Sequence, residues 1–312
     1  MARLHLVTGG AGFIGSSLAR ALLARGDRVR IIDNFSSGKR ENIADMARDL
    51  ELVEGDILDD AAMARAIEGV EVVFHEAAIP SVPKSMAEPL ANHAANATGT
   101  LNVLAWAKRA GVKRLVYAAS SAAYGESPEL PKIETMAPAP ISPYGASKLA
   151  GESYCQVYAA AFGLETVCLR YFNVFGPRQD PKSEYAAVIP RFILWALEGT
   201  PLEVHGDGTQ SRDFTYIDNV VDANLAAATA PAAAGEVFNV GCGNRVSLLS
   251  IIERIEKILG RPVARRHTPG RAGDVPHTQA DVSKAERLMK YTARVDFDEG
   301  FRRTVDFFRR GA

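Results

Sequence analysis

A tyrosine and a lysine stand four residues apart, as Tyr144 and Lys148, in the stretch PYGASKLAGE (143–152). The stretch has the pattern of an amphipathic helix, and residues i and i+4 of a helix share one face. A phenol ordinarily titrates near pH ~10, which is too high for a base at neutral pH. A neighbouring ammonium stabilises the phenolate and lowers its pKa. The pair therefore predicts a general base that removes a proton from a hydroxyl group.

Two serines precede this pair at the end of an apolar run. The run VKRLVYAAS (112–120) predicts a strand, and Ser120 and Ser121 lie where it ends. In a doubly wound sheet the strand ends face the ligand crevice, so a hydroxyl there can hydrogen-bond a substrate oxygen during its oxidation. The alternatives are that the serines only cap a turn and that the Tyr–Lys pair is an ordinary solvated pair.

A glycine-rich loop lies between the first predicted strand and a helix, in VTGGAGFIGSSLARALLARG (7–26). Gly9, Gly12 and Gly15 let backbone amides approach a pyrophosphate at the positive end of the helix. Asp33 ends the second predicted strand, at the distance expected of a residue that binds a ribose diol. Its carboxylate would repel a 2′-phosphate and no arginine follows directly, so we predict NAD rather than NADP. The positive nicotinamide ring of NAD⁺ would aid the ammonium of Lys148 in lowering the pKa of Tyr144. The alternative is a glycine turn without a ligand, with Asp33 as a strand cap.

Short apolar runs alternate with helical patterns through the first half of the chain. The pattern predicts an α/β fold: a doubly wound Rossmann parallel sheet covered on both faces by helices. The texture changes after Gly176-Pro177. We predict an NAD-binding Rossmann domain over residues 1–175 and a smaller α/β substrate domain over 176–312, with about 214–242 returning to the Rossmann sheet. The runs are LHLVT, RVRIID, LELVEGD, VEVVFHEAA, VKRLVYAAS and ETVCLRYFNV.

Composition excludes several classes of partner. The 312 residues carry 36 basic and 37 acidic side chains without a long run of either sign, so neither nucleic acid nor an anionic membrane is a predicted partner. No apolar run approaches the ~20 residues of a membrane span, and the N-terminus runs straight into a strand pattern, so a cytoplasmic location is predicted. The three cysteines and six histidines form no metal-ligand pattern, and no metal is predicted.

Together the motifs resemble the extended short-chain dehydrogenase/reductase family, and within it the nucleotide-sugar 4-epimerases. The resemblance covers essentially the whole chain. It implies tightly held NAD, a UDP-sugar substrate and inversion at C4′ through a 4-keto intermediate. The motifs that carry it are TGGAGFIG, DNFSSGKREN, GDILD, NATGTLNVL, AASSAAYG, SPYGASK, LRYFNVFGPRQ, GDGTQSRDFTYIDNV and RAGDVPHTQADVSKA.

The resemblance also implies roles for individual residues. Ser120, Tyr144 and Lys148 would form the catalytic set, with Ser121 as an accessory, and the tyrosinate would remove the 4′-hydroxyl proton while hydride passes from C4′ to NAD⁺. Predicted cofactor-binding residues are Gly9, Gly12, Phe13, Ile14, Gly15, Asp33, Asn34, Ser37, Gly38, Asp56, Ile57, Ala77, Ala78, Asn96, Tyr144, Lys148 and Tyr171. Predicted substrate-binding residues are Lys84, Ser120, Tyr144, Asn173, Ala187, Val188, His205, Arg212, Arg271, Asp274 and Thr278.

Four positions bear on the reaction and the sugar. Ala122 and Ala123 stand where related dehydratases and decarboxylases place Asp-Glu or Glu, which argues against dehydration. Thr278, at the position that gates the hexose pocket in the family, is small and permits an N-acetylhexosamine without requiring it. Asn173 replaces the threonine usual in UDP-glucuronate epimerases. We predict a UDP-GlcNAc/UDP-GalNAc or UDP-Glc/UDP-Gal 4-epimerase, or one that serves both pairs.

Three alternatives stay open. The first is an NAD-dependent UDP-uronate or UDP-pentose 4-epimerase, for which Lys84 would be a partner for a carboxylate or hydroxyl. The second is a net nucleotide-sugar oxidoreductase that releases NADH. The third, a non-catalytic NAD-binding regulatory protein, would have no need of the base that Ser120, Tyr144 and Lys148 make.

Two predicted helices, over 91–110 and 143–162, are rich in alanine and carry apolar stripes on more than one face. The matching helices of the family form a dimer interface, so the resemblance implies a homodimer. The alternative is that these stripes are covered within the monomer.

Overall fold

The computed structural model describes residues 3–182, 186–269 and 275–311. The strands in chain order are β1 (Leu4–Thr8), β2 (Arg28–Asp33), β3 (Leu50–Glu54), β4 (Val72–His75), β5 (Arg114–Ser120), β6 (Glu165–Tyr171), β7 (Val174–Phe175), β8 (Leu202–His205), β9 (Ser211–Arg212), β10 (Thr215–Tyr216), β11 (Val237–Val240), β12 (Val246–Ser247) and β13 (Arg265–Thr268). The helices are α1 (Phe13–Ala24), α2 (Asp60–Ile67), α3 (Val82–Ala87), α4 (Pro89–His93), α5 (Gly99–Arg109), α6 (Pro143–Phe162), α7 (Val188–Glu198), α8 (Ile217–Thr229), α9 (Leu248–Leu259), α10 (Ser283–Met289) and α11 (Phe297–Arg310).

Seven strands form one parallel sheet in the order β11-β6-β5-β4-β1-β2-β3. The order reverses between β1 and β4, because β2 and β3 extend to one side of β1 and β4, β5 and β6 to the other. Such a reversal opens a ligand crevice at the carboxyl edge of the sheet. The predicted doubly wound α/β fold is confirmed.

Both faces of the sheet are covered, which explains why its central strands are apolar at nearly every position. Successive side chains of a strand point to opposite faces. Val7 and Phe74 belong to one core, with residues of α1 and α8. Leu6 and Val73 belong to the core on the other face, with residues of α2, α5 and α6.

The second half of the chain contributes to both parts of the molecule. Helix α8 packs on β5 and β6, and β11 pairs with β6 at the edge of the sheet. Three small two-stranded sheets, β7-β10, β9-β12 and β8-β13, lie beyond the main sheet. The division into domains at residue 175 stays a prediction. Within the described ranges, no helix has the length and apolar character needed to cross a membrane.

Candidate active site

Ser120, Tyr144 and Lys148 come together at the carboxyl edge of the sheet. Helix α6 places Tyr144 in its first turn, where its backbone N–H donates to Ser85 Oγ over 3.1 Å. Lys148, one turn later, is buried, and its Nζ donates to the carbonyl oxygen of Ala118 over 2.8 Å. Ser120 ends β5, and its hydroxyl lies near enough to the phenol of Tyr144 to lower the pKa of that phenol. The three predicted catalytic side chains therefore share one site.

Ser120 also caps a turn. Its Oγ accepts the N–H of Ala122 over 3.1 Å at the start of the short 3₁₀ turn Ser121–Tyr124. Ser121 is half-buried as the first residue of that turn. A serine hydroxyl has two lone pairs and one proton, so capping leaves Ser120 able to bond Tyr144 at the same time.

The pKa values of the pair differ from the predicted pattern. Burial raises the pKa of Tyr144, and the hydrogen bond from Ser120 opposes that rise. Burial also lowers the pKa of Lys148 to about 8, against the opposing charge of Glu76. In the protein without its cofactor, desolvation of the phenolate outweighs the effect of its neighbours. The prediction that Lys148 and bound NAD⁺ together lower the pKa of Tyr144 stays a prediction.

The glycine loop has the shape of a phosphate cradle. Gly9 has φ +65°, and a Cβ there would lie 2.8 Å from the Cα of Ala77. A Cβ on Gly15 would lie 2.2 Å from the carbonyl oxygen of Gly9. Gly12 is the N-cap of α1 and offers no side-chain acceptor, so the first amides of the helix, at Phe13 and Ile14, face no side-chain cap. These features fit the pyrophosphate of a dinucleotide.

Asp33 closes this cradle at the end of β2. It is buried, its Oδ2 accepts the N–H of Ala11 over 2.9 Å, and its Oδ1 accepts the N–H of Phe35 over 2.8 Å. Gly38 lies so close that a Cβ there would be 2.7 Å from Oδ1. Each carboxylate oxygen keeps acceptor capacity, so Asp33 can hold the loop and still accept ribose hydroxyls.

The other predicted cofactor residues line the neighbouring strand ends. Asn34, after β2, donates from Nδ2 to Asp56 Oδ2 over 2.7 Å, which ties the loop after β2 to the loop after β3. Ser37 is exposed on the loop that follows Asn34, and Ile57 is buried directly after Asp56. Ala77 and Ala78 follow β4, and the N–H of Ala77 donates to Thr8 Oγ1 over 3.1 Å.

Asn96 is a predicted cofactor residue whose side chain is buried among protein groups. Its side chain is only 1% exposed, its Oδ1 accepts the N–H of Ile79 over 2.8 Å, and its Nδ2 donates to Ser147 Oγ over 3.1 Å and to Asn92. These bonds hold the segment after β4 against α6. That Asn96 also contacts the cofactor stays a prediction.

Three predicted substrate residues meet beyond the sheet. Asn173 Nδ2 donates to the carbonyl oxygen of Asp213 over 3.0 Å and to Thr278 Oγ1 over 3.2 Å. The N–H of Thr278 donates to Ser211 O over 3.1 Å, and Arg212 donates to the carbonyl oxygen of Pro276 over 2.8 Å. This places Asn173, Arg212 and Thr278 side by side.

The remaining substrate predictions are more scattered. His205 lies on the β8-β13 sheet, where its Nδ1 contacts Thr268 Oγ1 at 2.7 Å. Ala187 is the N-cap of α7 and Val188 its first residue. Lys84 is half-buried in the short helix α3. Arg271 and Asp274 lie outside the described residues.

Glu76 is a site residue that the sequence analysis missed. It directly follows β4, and its Oε1 accepts the hydroxyl proton of Tyr171 over 2.8 Å, while Tyr171 accepts from Asn224 Nδ2 over 2.8 Å. Burial raises the pKa of Glu76 to about 7. The available signal was an acidic residue at the end of the apolar run VEVVFHEAA.

Asp213 was also missed, although it neighbours Arg212. It is fully buried, and its carboxylate accepts the N–H groups of Cys242 (2.9 Å), Gly243 (2.9 Å) and Ala280 (3.0 Å). Burial raises its pKa to about 6. Asp213 thereby fixes the backbone two residues from Thr278 to the loop that follows β11. Over the described ranges, no three His, Cys, Asp or Glu side chains cluster as a metal site would require.

A Rossmann crevice with a Ser-Tyr-Lys set defines a class of NAD-dependent oxidoreductases and isomerases, and comparison with known proteins gives the family. Residues 5–241 match the model of the NAD dependent epimerase/dehydratase family. The chain belongs to this family.

Several of its relatives are UDP-sugar 4-epimerases. The UDP-glucose 4-epimerase of Mycolicibacterium smegmatis is 38% identical over 97% of this chain and 98% of the relative. The structure is similar to a UDP-N-acetylglucosamine 4-epimerase from Methanobrevibacter ruminantium, with TM-score 0.95 and 38% identity over 100% and 99% of the two chains. It is also similar to a UDP-glucuronic acid 4-epimerase from Bacillus cereus in complex with UDP-glucuronic acid and NAD, with TM-score 0.92 and 35% identity over 99% and 100%. The predicted family, its NAD dependence and its isomerase class are confirmed.

Proposed function

We propose that this chain is a UDP-sugar 4-epimerase that converts both N-acetylated and plain hexoses, UDP-GlcNAc/UDP-GalNAc and UDP-Glc/UDP-Gal, with NAD held throughout the cycle. The observation that carries the proposal is the meeting of Ser120, Tyr144 and Lys148 at the carboxyl edge of the sheet, beside the glycine cradle. Family membership supports the reaction, and the small side chain of Thr278 supports the range of sugars.

The chain's own residues move the proton. Bound NAD supplies the hydride acceptor and, when oxidised, a positive charge. Tyr144 takes the proton of the 4′-hydroxyl and later returns it to the oxygen of the 4-keto sugar, while the nearby hydroxyl of Ser120 stabilises the phenolate. Because burial raises the pKa of Tyr144, the phenol becomes a base only when cationic charge is added to that of Lys148. The base is thus active only in the presence of the oxidised cofactor.

The cofactor and the UDP-sugar bind to two different regions of the chain. Gly9, Gly12, Gly15 and Asp33 hold the dinucleotide, and Asn173, Arg212 and Thr278 hold the UDP-sugar, with Arg271 and Asp274 proposed on the family resemblance. Ala122 and Ala123 place no acid beside the sugar, so re-reduction is the fate that remains to the keto intermediate.

The choice of sugar is tested with separate incubations of UDP-glucose, UDP-N-acetylglucosamine, UDP-glucuronate and UDP-xylose, without added NAD, and chromatographic resolution of the epimers. We expect conversion of the first two. In Thr278→Tyr the ring of the new side chain fills the space of the acetamido group. Conversion of UDP-GlcNAc should therefore fall roughly 10–100-fold relative to that of UDP-glucose.

Thr278→Ser is the matched control, because it keeps the small size and the hydroxyl that accepts from Asn173. If Thr278→Tyr loses conversion of UDP-GlcNAc and of UDP-glucose equally, the size of residue 278 does not determine the range of sugars. Stoichiometric formation of NADH absorbance would instead support the oxidoreductase, and no conversion even with NAD added would end the epimerase proposal on these substrates.

We also propose the homodimer. Apolar side chains stand exposed on two helices that pack against each other: Leu90 of α4 is 84% exposed, and Val157 and Phe162 of α6 are 51% and 48% exposed. A second copy that covers these residues would remove that surface from water. We expect a solution mass near twice 33.5 kDa by sedimentation and a monomer in the Leu90→Glu/Val157→Glu variant. A wild-type protein that sediments at 33.5 kDa would contradict the dimer.

A further inference from the structure

Glu76 and Lys148 lie near each other at the carboxyl edge of the sheet. His75, the last residue of β4, pairs with Tyr117 of β5, so Glu76, the residue after β4, lies beside Ala118 of β5. Adjacent strands lie about 4.8 Å apart. The carbonyl oxygen of Ala118 accepts the ammonium of Lys148 over 2.8 Å. The register therefore places Glu76 beside the residue that binds the ammonium of Lys148, and the charge of Glu76 acts on that ammonium.

Two further residues hold Glu76 in place. Tyr171 donates its hydroxyl proton to Glu76 Oε1 over 2.8 Å. The same hydroxyl accepts from Asn224 Nδ2 over 2.8 Å, and Asn224 is fully buried on α8. Because both the donor and the acceptor function of Tyr171 are used, the carboxylate of Glu76 is fixed from β6 and α8.

The titratable groups around the carboxylate of Glu76 are neutral except for Lys148, which carries a positive charge. Burial lowers the pKa of His75, the preceding residue, to about 3, so its ring is neutral. Burial raises the pKa values of Tyr171 on β6, Tyr117 on β5 and Tyr144 on α6, so their phenols are neutral in the protein alone. Two groups raise the pKa of Lys148 through their charge, first Glu76 and then Cys155 of α6, and Lys148 in turn lowers the pKa of Glu76.

We propose that Glu76 is a positioning residue that keeps Lys148 protonated, and so maintains the cationic charge beside Tyr144, without touching the substrate. This inference rests on the roles proposed above for Tyr144 and Lys148. A buried ammonium loses its proton easily, because burial penalises the charged form. The carboxylate of Glu76, directly after β4, opposes that penalty. No other part of the proposed mechanism uses Glu76.

The sign of the effect follows from the two titrations. The pKa of Glu76 is about 7 and that of Lys148 is about 8. Above the first value the carboxylate is charged and supports the ammonium. If this charge is removed, Lys148 loses its proton at lower pH. Well below pH 7 Glu76 is itself protonated, so its removal should change little there.

Glu76→Gln tests this with little change of shape, because its amide oxygen can still accept from Tyr171. We expect the alkaline limb of the kcat/KM profile to move down by about 1 pH unit, a typical effect of one neighbouring charge. At pH values above the alkaline limb, the turnover of Glu76→Gln should be about tenfold below that of the wild type. On the acidic side of the profile the two rates should be equal. The ¹³Cε resonance of Lys148, followed without substrate, should titrate at a midpoint lowered by the same amount.

Two controls accompany the variant. Glu71→Gln removes a carboxylate that precedes the same strand, at the opposite end, where it pairs with Lys113 over 3.1 Å; its profile should match the wild type. Glu76→Asp keeps the charge and should keep the alkaline limb. In the wild type, the Lys148 resonance should also report the titration of Glu76 near pH 7 as a second inflection, as coupled groups do.

Several results would overturn the inference. These are an unchanged Lys148 midpoint in Glu76→Gln, a loss of rate that is equal at every pH, and a wild-type Lys148 titration without the second inflection. The last measurement needs no variant and stands even if Glu76→Gln does not fold. Full activity of a Tyr144→Phe variant is a separate outcome: it would remove the proposed base and leave the Lys148 titration intact.

Discussion

Tyr144→Phe is expected to lower epimerase turnover by at least ~100-fold, the lower bound of what a positioned general base contributes. The change removes the hydroxyl beside Ser120 and leaves the ring in place. Helix α6 should remain intact, because Ser85 binds the backbone N–H of residue 144 and Ser142 caps the helix through the N–H of Gly145. The measurement is single-turnover epimerisation, with binding of UDP and NAD followed by calorimetry.

Tyr154→Phe provides the matched control, because Tyr154 lies on the same helix with 37% of its surface exposed and away from the catalytic set. This variant should keep wild-type turnover. Nucleotide binding within a few-fold of wild type in Tyr144→Phe would locate the loss in the chemical step. Turnover of Tyr144→Phe close to that of the wild type would show that another group removes the proton.

The sheet and the cradle could be predicted from the sequence because local pattern determines both. Apolar runs flanked by helical patterns leave few ways to cover a sheet on two faces, and the run LHLVT coincides with β1 (Leu4–Thr8). Gly9 and Gly15 indicate backbone approaches that a Cβ would block. The i, i+4 spacing of Tyr144 and Lys148 likewise needs only a helix.

What the sequence did not reveal depends on partners distant along the chain. The three N–H groups that Asp213 accepts lie 29, 30 and 67 residues away. Glu76 contacts Tyr171 across 95 residues. The direction of the pKa shift of Tyr144 depends on how deeply α6 and the strand ends bury the phenol, and neither spacing nor composition reports burial. The effect of one charge on the pKa of another group can therefore be predicted only when the positions of the helices and strands that carry them are known.

The ion pair between Glu152 and Arg170 carries the largest expected effect on stability. Arg170 Nε and Nη2 donate to the two carboxylate oxygens over 2.9 and 2.6 Å, and the side chains are 4% and 3% exposed. The guanidinium also lies 4.6 Å from the ring centroid of Tyr124. Glu152→Ala leaves this charge buried without its partner. We expect the free energy of unfolding to fall by about 3–5 kcal/mol, measured by urea denaturation.

A surface pair and a double variant separate the causes. Glu299 of α11 bonds Arg302 and Arg303 at an exposed site, where solvent screens the charges, so Glu299→Ala should lower the free energy of unfolding far less than Glu152→Ala does. Glu152→Leu/Arg170→Met removes both charges and should recover most of the stability lost in Glu152→Ala, because desolvation is the main cost of a buried pair. A Glu152→Ala variant as stable as the surface control would contradict this account.

The same pair links stability to the proposed site. Glu152 follows Lys148 by one helical turn, so the two side chains share a face of α6, and Arg170 precedes Tyr171 on β6. The ion pair thus fixes the helix that carries Tyr144 and Lys148 to the strand that carries the partner of Glu76. If Glu152→Ala folds, the titration of the Lys148 ¹³Cε resonance should have a less sharply defined midpoint, because the ion pair no longer holds α6 to β6. The double variant should restore both the midpoint and the stability.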